Sequence, residues 1–110
     1  KLTALCELVG VRTAWHAPAD VSPVGAAANL ALDVSSAAFG IQEGHVYNEA
    51  TCEVFPGTPQ PRRGHLEPSA APGLGVDIDE QAAAKYPPAK FAHDRWAVRV
   101  RATDGSLLPP

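Results

Sequence analysis

The sequence predicts an α/β fold organised around a strand–helix–strand unit. Residues 11–15, VRTAW, are β-branched and aromatic as in a short strand, and residues 39–43, FGIQE, have a similar character. Between them, Ser22 and Pro23 have the pattern of a helix start, with Ser22 as N-cap and Pro23 as first helical residue. Because the connections are short, we expect the two strands to be parallel, with a right-handed crossover through the helix.

The helices that flank the first strand are predicted from the spacing of apolar residues. Residues 1–9 carry apolar side chains at near-helical intervals, and Gly10 is placed to end this first helix. The second helix is expected to run to about Ser35. Its mostly apolar, alanine-rich face is predicted to consist of Val24, Ala27, Ala28, Leu32 and Val34.

The second half of the chain is dominated by turn residues. Most of residues 56–75 read as turns, because many of the chain's 11 prolines and 9 glycines lie there. Residues 79–87 predict a brief helix, with Asp79 as N-cap and the prolines at 87–88 ending it. Alternation of apolar side chains over residues 96–100 predicts a short terminal strand.

Composition excludes several classes of partner. The net charge of −3 and the lack of clustered Lys and Arg argue against nucleic acid. No apolar run approaches the roughly 20 residues of a membrane span. The two cysteines, Cys6 and Cys52, do not make a disulfide framework, which favours unpaired thiols and a cytoplasmic location.

Three polar residues are candidates for a ligand site. In parallel α/β folds, reacting groups gather at the carboxyl ends of strands, and His16 and Glu43 occupy that place in the two predicted strands. Asp20 lies in the loop ahead of the second helix. Together they would suit acid/base chemistry and the binding of a ligand with several hydroxyls.

Each candidate also has a purely structural interpretation. His16 can be an ordinary loop residue, Asp20 a turn or capping residue, and Glu43 an exposed loop acid. Trp96 is open in the same way, either as a core residue or as an aromatic near the mouth of the site. No His or Cys pair has zinc-ligand spacing, so we expect no zinc site.

Several stretches resemble the C-terminal portion of the enolase superfamily. Within it they are most similar to the sugar-acid dehydratases of the mannonate dehydratase and starvation-sensing protein RspA group. The similarity runs from residue 1 to about residue 96, and TAWHAPADVSPVG with FGIQE is its most specific part. The other stretches that carry it are EVFPG and PGLGVDIDEQAAAKYP.

The resemblance implies an incomplete piece of a larger fold. Residues 1–45 would be the last two strands and intervening helix of a modified TIM barrel. Residues 46–110 would be an irregular C-terminal segment that packs on an α+β capping domain. A complete barrel needs roughly 250 residues, so the parent protein is expected to be longer than this chain.

The resemblance also implies a reaction and a set of substrate contacts. The parent would be a Mg²⁺-dependent hydro-lyase that removes the proton next to a sugar-acid carboxylate and expels water, giving a 2-keto-3-deoxy sugar acid. His16, Asp20, Glu43 and Trp96 match positions that contact D-mannonate or D-gluconate, whereas the Mg²⁺ ligands are expected upstream of Lys1. No catalytic or metal-binding residue is expected in this chain, and a homo-oligomeric parent is expected.

Two other hypotheses remain open from the sequence. The chain can belong to a truncated or regulatory relative of the superfamily that binds a partner and catalyses nothing. It can also be an independent small α+β domain whose similarity is accidental. The last hypothesis predicts cooperative unfolding of the isolated chain, whereas a piece of a barrel would expose apolar strand edges and associate.

Overall fold

A computed structural model of the chain describes residues 1–88, and it contains the predicted strand–helix–strand unit. Strand β1, Thr13–Trp15, pairs in parallel with strand β2, Phe39–Gln42. Helix α2, Pro23–Ser35, forms the crossover between them. The pairing joins Ala14 to Ile41 and Trp15 to Gln42, after an irregularity between Thr13 and Ala14. The α/β class with a small parallel sheet is therefore confirmed, and the terminal strand predicted at 96–100 lies outside the described residues.

The helix ends follow the local signals in the sequence. Helix α1, Leu2–Val9, ends at Gly10, which adopts the left-handed conformation (φ 71°) and donates its N–H to helix carbonyls. Helix α2 begins where Ser22 Oγ accepts from the N–H of Gly25. The side chain of Asn48 caps a helix that the sequence analysis did not predict, α3, Glu49–Val54.

The last helix, α4, is shorter than predicted. It spans Glu80–Ala83, with the Asp79 side chain accepting from the N–H of Ala82 as expected of an N-cap. Lys85 and Tyr86 donate their N–H groups three residues back instead of four, so the helix tightens and stops. Pro87 prevents the helix from resuming, because a proline disfavours helical geometry in the residue before it, Tyr86.

The buried face of α2 differs from the predicted one. Within the described residues the buried positions are Pro23, Ala27, Leu30 and Asp33, whereas Leu32 and Val34 are exposed. Of the predicted face, only Ala27 is among the buried positions. The predicted face was chosen from apolar residue type along the helix, whereas the structure turns Leu30 and Asp33 inward.

The described part of the chain has a small core and much exposed apolar surface. Its buried apolar residues are mostly small, and no large side chain in residues 1–88 is fully buried. Helix α1 has no buried residue, and Ile41 in β2 is 67% exposed. The buried apolar residues are Ala17, Ala27, Leu30, Ala38, Tyr47 and Ala82. Since stability depends on apolar burial, these elements gain little from packing on one another alone.

Two backbone hydrogen bonds link residues 54–56, at the end of α3, to residues 77–79. The N–H of Asp77 donates to Pro56 O (3.0 Å), and the N–H of Asp79 donates to Val54 O (2.8 Å). These bonds bring the GVDID stretch against the end of α3. The crossing is so close that a Cβ on Gly57 would collide with the carbonyl oxygen of Gly75. This close approach explains why glycine stands at position 57, whereas a Cβ on Gly75 would meet the side chain of Ser69.

We expect Gly57→Ala to destabilise the protein more than Gly73→Ala. Both glycines have positive φ, 86° and 67°, so each substitution places an alanine in the left-handed conformation, which lowers stability. Only at Gly57 does the new methyl group meet backbone, which adds about 1–3 kcal/mol for overpacking. Thermal unfolding midpoints of the two variants test this difference. Equal losses would show that the close crossing does not contribute.

The carboxylate of Asp33 in α2 is buried. Asp33 is 5% exposed, and neither carboxylate oxygen has a hydrogen-bond partner within residues 1–88. Burial raises the pKa of the Asp33 carboxyl above its ordinary value, because desolvation disfavours the charged form. The folded state therefore holds a proton at pH values where the unfolded chain has released it. Stability due to this group falls as the pH rises through that window.

We therefore expect Asp33→Asn to gain stability relative to the natural protein as the pH rises from about 4, the ordinary aspartate value. The difference in the free energy of unfolding should then level off above the raised pKa of Asp33. Chemical denaturation of both proteins between about pH 4 and 8 measures it. A difference that is constant over this range, or that shrinks as the pH rises, would contradict the assignment.

Candidate functional site

The parallel pairing brings two of the predicted site residues together. His16 follows β1 and Glu43 follows β2, so both lie at the same edge of the sheet. His16 Nε2 lies 3.5 Å from Glu43 Oε2, and the two side chains are 81% and 48% exposed. The predicted convergence of an imidazole and a carboxylate at one edge is therefore present in the structure.

Glu43 is held in place by the backbone of the first strand end. The N–H of Ala17 donates to Glu43 Oε2 at 2.9 Å, the same oxygen that faces His16. Because Ala17 is buried and follows His16 directly, this hydrogen bond fixes the carboxylate beside the imidazole. Sequence reasoning did not find this contact, because a backbone N–H leaves no trace in residue type.

The hydrogen bonds around Gln42 are a second feature that the sequence analysis missed. Gln42 Nε2 donates to Glu43 O at 2.8 Å and to Trp15 O at 3.4 Å. The N–H of Glu43 also donates to Trp15 O, at 3.4 Å. Two polar atoms at this edge of the sheet are buried without a hydrogen-bond partner within residues 1–88, the acceptor Gln42 Oε1 and the donor Trp15 Nε1.

The surface beside the pair is open. A depression of about 360 Å³ is lined by the ends of both strands, Ala14, Trp15, His16, Ile41, Gln42 and Glu43. Two other depressions, of about 450 and 630 Å³, lie between α2 and residues 57–74 and beside β2. Neither of these is lined by His16 or Glu43, so the polar groups of the candidate site face the smaller depression.

The other two predicted site residues are not joined to this pair. Asp20 is exposed in the turn before α2, where the N–H of Val21 donates to Pro18 O. No contact of its side chain with His16 or Glu43 is found within residues 1–88. Trp96 lies outside the described residues. The roles predicted for Asp20 and Trp96 therefore stay predictions.

The described residues do not suit a metal ion. Within residues 1–88 no group of three or more His, Cys, Asp or Glu side chains could hold one. His16 and Glu43 supply two donors only, and one of the carboxylate oxygens already accepts from a backbone N–H. Cys6 and Cys52 are free thiols. No helix in the described part of the chain is both long and apolar enough to cross a membrane.

The fold and the position of the pair define an α/β domain that carries its polar groups at the carboxyl ends of parallel strands. The chain belongs to the enolase C-terminal domain-like family, whose family model matches residues 1–82. The resemblance to the enolase superfamily drawn from the sequence is thus confirmed.

The relatives are dehydratase family members. The chain is 64% identical over 110 residues to a D-galactonate dehydratase family member from Catenulispora acidiphila, and 60% identical over 111 residues to one from Streptomyces sp. (strain SPB78). These matches cover 100% of this chain but 26% and 25% of the relatives. The chain therefore spans about a quarter of the length of the curated relatives it matches.

One solved structure agrees with the fold. The crystal structure of an enolase from Pantoea ananatis with bound D-gluconate and Mg is similar with a TM-score of 0.79 and 46% sequence identity. The similarity covers 99% of this chain and 26% of that chain. The gluconate and the magnesium are properties of that protein.

Proposed function

We propose that this chain is the C-terminal part of a Mg²⁺-dependent sugar-acid dehydratase and contributes substrate-binding residues to it. The substrate would be D-mannonate or D-gluconate, and the product a 2-keto-3-deoxy sugar acid. The observation that carries the proposal is the His16–Glu43 pair, fixed at the carboxyl ends of two parallel strands in a chain of this family. The gluconate bound to a relative of 46% identity supports the substrate class.

The chemistry of the pair suits a polyhydroxy acid. Glu43 is a carboxylate that accepts hydrogen bonds from hydroxyl groups, and its attachment to the N–H of Ala17 removes much of its rotational freedom. The imidazole of His16 can donate or accept near neutral pH. A donor beside a departing hydroxyl assists the loss of water, which makes His16 the residue of this chain best placed to assist. Asp20 and Trp96 are proposed to contribute a further acceptor and an aromatic surface.

The remaining parts of the proposal concern the longer protein. Residues 1–45 would form the end of a barrel, and residues 46–110 the segment that packs on a capping domain. The Mg²⁺ is proposed to be held by residues outside this chain. The free cysteines support a cytoplasmic location, and the exposed apolar surface supports contact with further elements of the parent and with other copies.

The test is kinetic and uses the full-length protein. We expect His16→Asn and Glu43→Gln each to lower kcat/KM for dehydration of D-mannonate or D-gluconate by about 10- to 100-fold. That range corresponds to the loss of a hydrogen bond that involves a charged or strongly polar group. D-Galactonate belongs in the same substrate panel because the named relatives are D-galactonate dehydratase family members. Chelation of Mg²⁺ should abolish turnover.

His65→Asn is the matched control for His16→Asn. His65 is exposed in the turn between Arg62 and Leu66, and its ring contacts only Arg63 O among the described hydrogen bonds. Its substitution should leave kcat/KM unchanged. Normal activity of both His16→Asn and Glu43→Gln would overturn the site assignment. A full-length protein that binds these sugar acids without dehydrating them would favour the non-catalytic alternative.

A further inference from the structure

We infer that Gln42 is a positioning residue that sets the geometry of His16 and Glu43. The inference rests on the proposed function and names the residue of this chain on which the substrate contacts depend. Gln42 is half-buried and touches neither the imidazole nor the carboxylate in the described hydrogen bonds. It acts through the backbone on both sides of the pair.

The carboxamide of Gln42 joins the two strand ends. Its nitrogen donates to the carbonyl of Trp15, the residue before His16, and to the carbonyl of Glu43. Both acceptors are carbonyl oxygens, so the nitrogen and not the oxygen of the side chain must face them. One side chain thus restrains the peptide that leads into His16 and the peptide that follows Glu43.

The restraint matters because the backbone ladder is weak at this point. The N–H of Glu43 reaches Trp15 O only at 3.4 Å, the same length as the hydrogen bond from Gln42 Nε2, so two long hydrogen bonds share this acceptor where the strands end. Past the strand ends, within residues 1–88, Glu43 Oε2 lies 3.5 Å from His16 Nε2 and accepts the hydrogen bond from Ala17 N–H. That bond needs the Glu43 backbone to stay in register with Ala17, which is what Gln42 provides.

The unpaired side-chain oxygen of Gln42 supports a positioning role for this residue. Gln42 Oε1 is buried and has no hydrogen-bond partner, so the carboxamide gives up one of its interactions while its nitrogen donates twice. A buried unpaired acceptor lowers stability. An apolar side chain of similar length would avoid this loss, which makes Gln42 a poor choice for packing and a suitable one for orientation.

The test uses Gln42→Met in the full-length protein, which keeps side-chain length and removes both donors. We expect kcat/KM for the sugar acid to fall about 10- to 100-fold, the size of effect produced by a displacement of about 1 Å in a reacting or binding group. The unfolding midpoint should change little, because an unpaired acceptor is removed together with the two donors. Gln42→Glu should be worse, since a carboxylate would face two carbonyl oxygens.

Gln60→Met is the matched control. Gln60 is also half-buried, donates to Tyr47 O (2.8 Å) and Cys52 Sγ (2.9 Å), and accepts from the N–H of Tyr47 (3.2 Å). It holds the loop after β2 and does not contact the strand ends. Its substitution should lower the unfolding midpoint and leave kcat/KM unchanged.

A mutant cycle separates positioning from a general structural role. If Gln42 acts through His16 and Glu43, then Gln42→Met should have little further effect once His16→Ala and Glu43→Ala have removed both side chains. A structural role would give the same fold loss in both backgrounds. Additive losses, or unchanged kcat/KM in Gln42→Met, would overturn the inference while leaving the proposed function in place.

A structural measurement, which does not depend on activity, distinguishes failure of this inference from failure of the proposed function. If the full-length protein dehydrates none of the sugar acids, the proposed function fails, and crystal structures of the natural protein and Gln42→Met decide the positioning role. The inference expects the hydrogen bond between Ala17 N–H and Glu43 Oε2 to be broken in the variant. An intact bond with the carboxylate in its original place would overturn it.

Discussion

The parallel pairing of β1 with β2 is the constraint on which the candidate site depends. Parallel strands end at the same edge, so residues that follow them meet although 27 positions separate His16 from Glu43 in the sequence. The register of Trp15 with Gln42 then decides which side chains share a face. A slip of one residue would turn Glu43 to the opposite face of the sheet from His16, and the Ala17 hydrogen bond would be lost.

The parts of the fold that could be predicted from sequence are those set by local chemistry. Gly10 ends α1 because it adopts a positive φ without steric cost, and Ser22 and Asp79 begin helices because their side chains satisfy free N–H groups. The position of His16 and Glu43 at strand ends followed from the same local signals. Helix α3 also has a local signal, the N-cap Asn48. It was not predicted, because six helical residues between two loops give only a weak periodic pattern.

The parts that could not be predicted depend on contacts between distant residues. The inward turn of Leu30 and Asp33 is a property of how α2 lies on β2, and residue type alone cannot distinguish Leu30, which is buried, from Leu32, which is exposed. An aspartate on a buried face contradicts the usual pattern of helix amphipathicity. The roles of the Ala17 N–H and of Gln42 were equally hidden, because each depends on the cross-strand register and not on a motif.

The exposure of the pair bears on how it can contribute to binding. In water, a hydrogen bond from a sugar hydroxyl to Glu43 replaces one to solvent and gains little net free energy. With side chains 81% and 48% exposed, His16 and Glu43 gain strength only when other surfaces exclude water from the depression they line. The described residues supply the orientation of these groups through β1, β2 and Gln42. Under the proposed function, their energetic value to a ligand depends on the surfaces that close over that edge of the sheet, which would link substrate affinity to the packing of this segment within the longer protein.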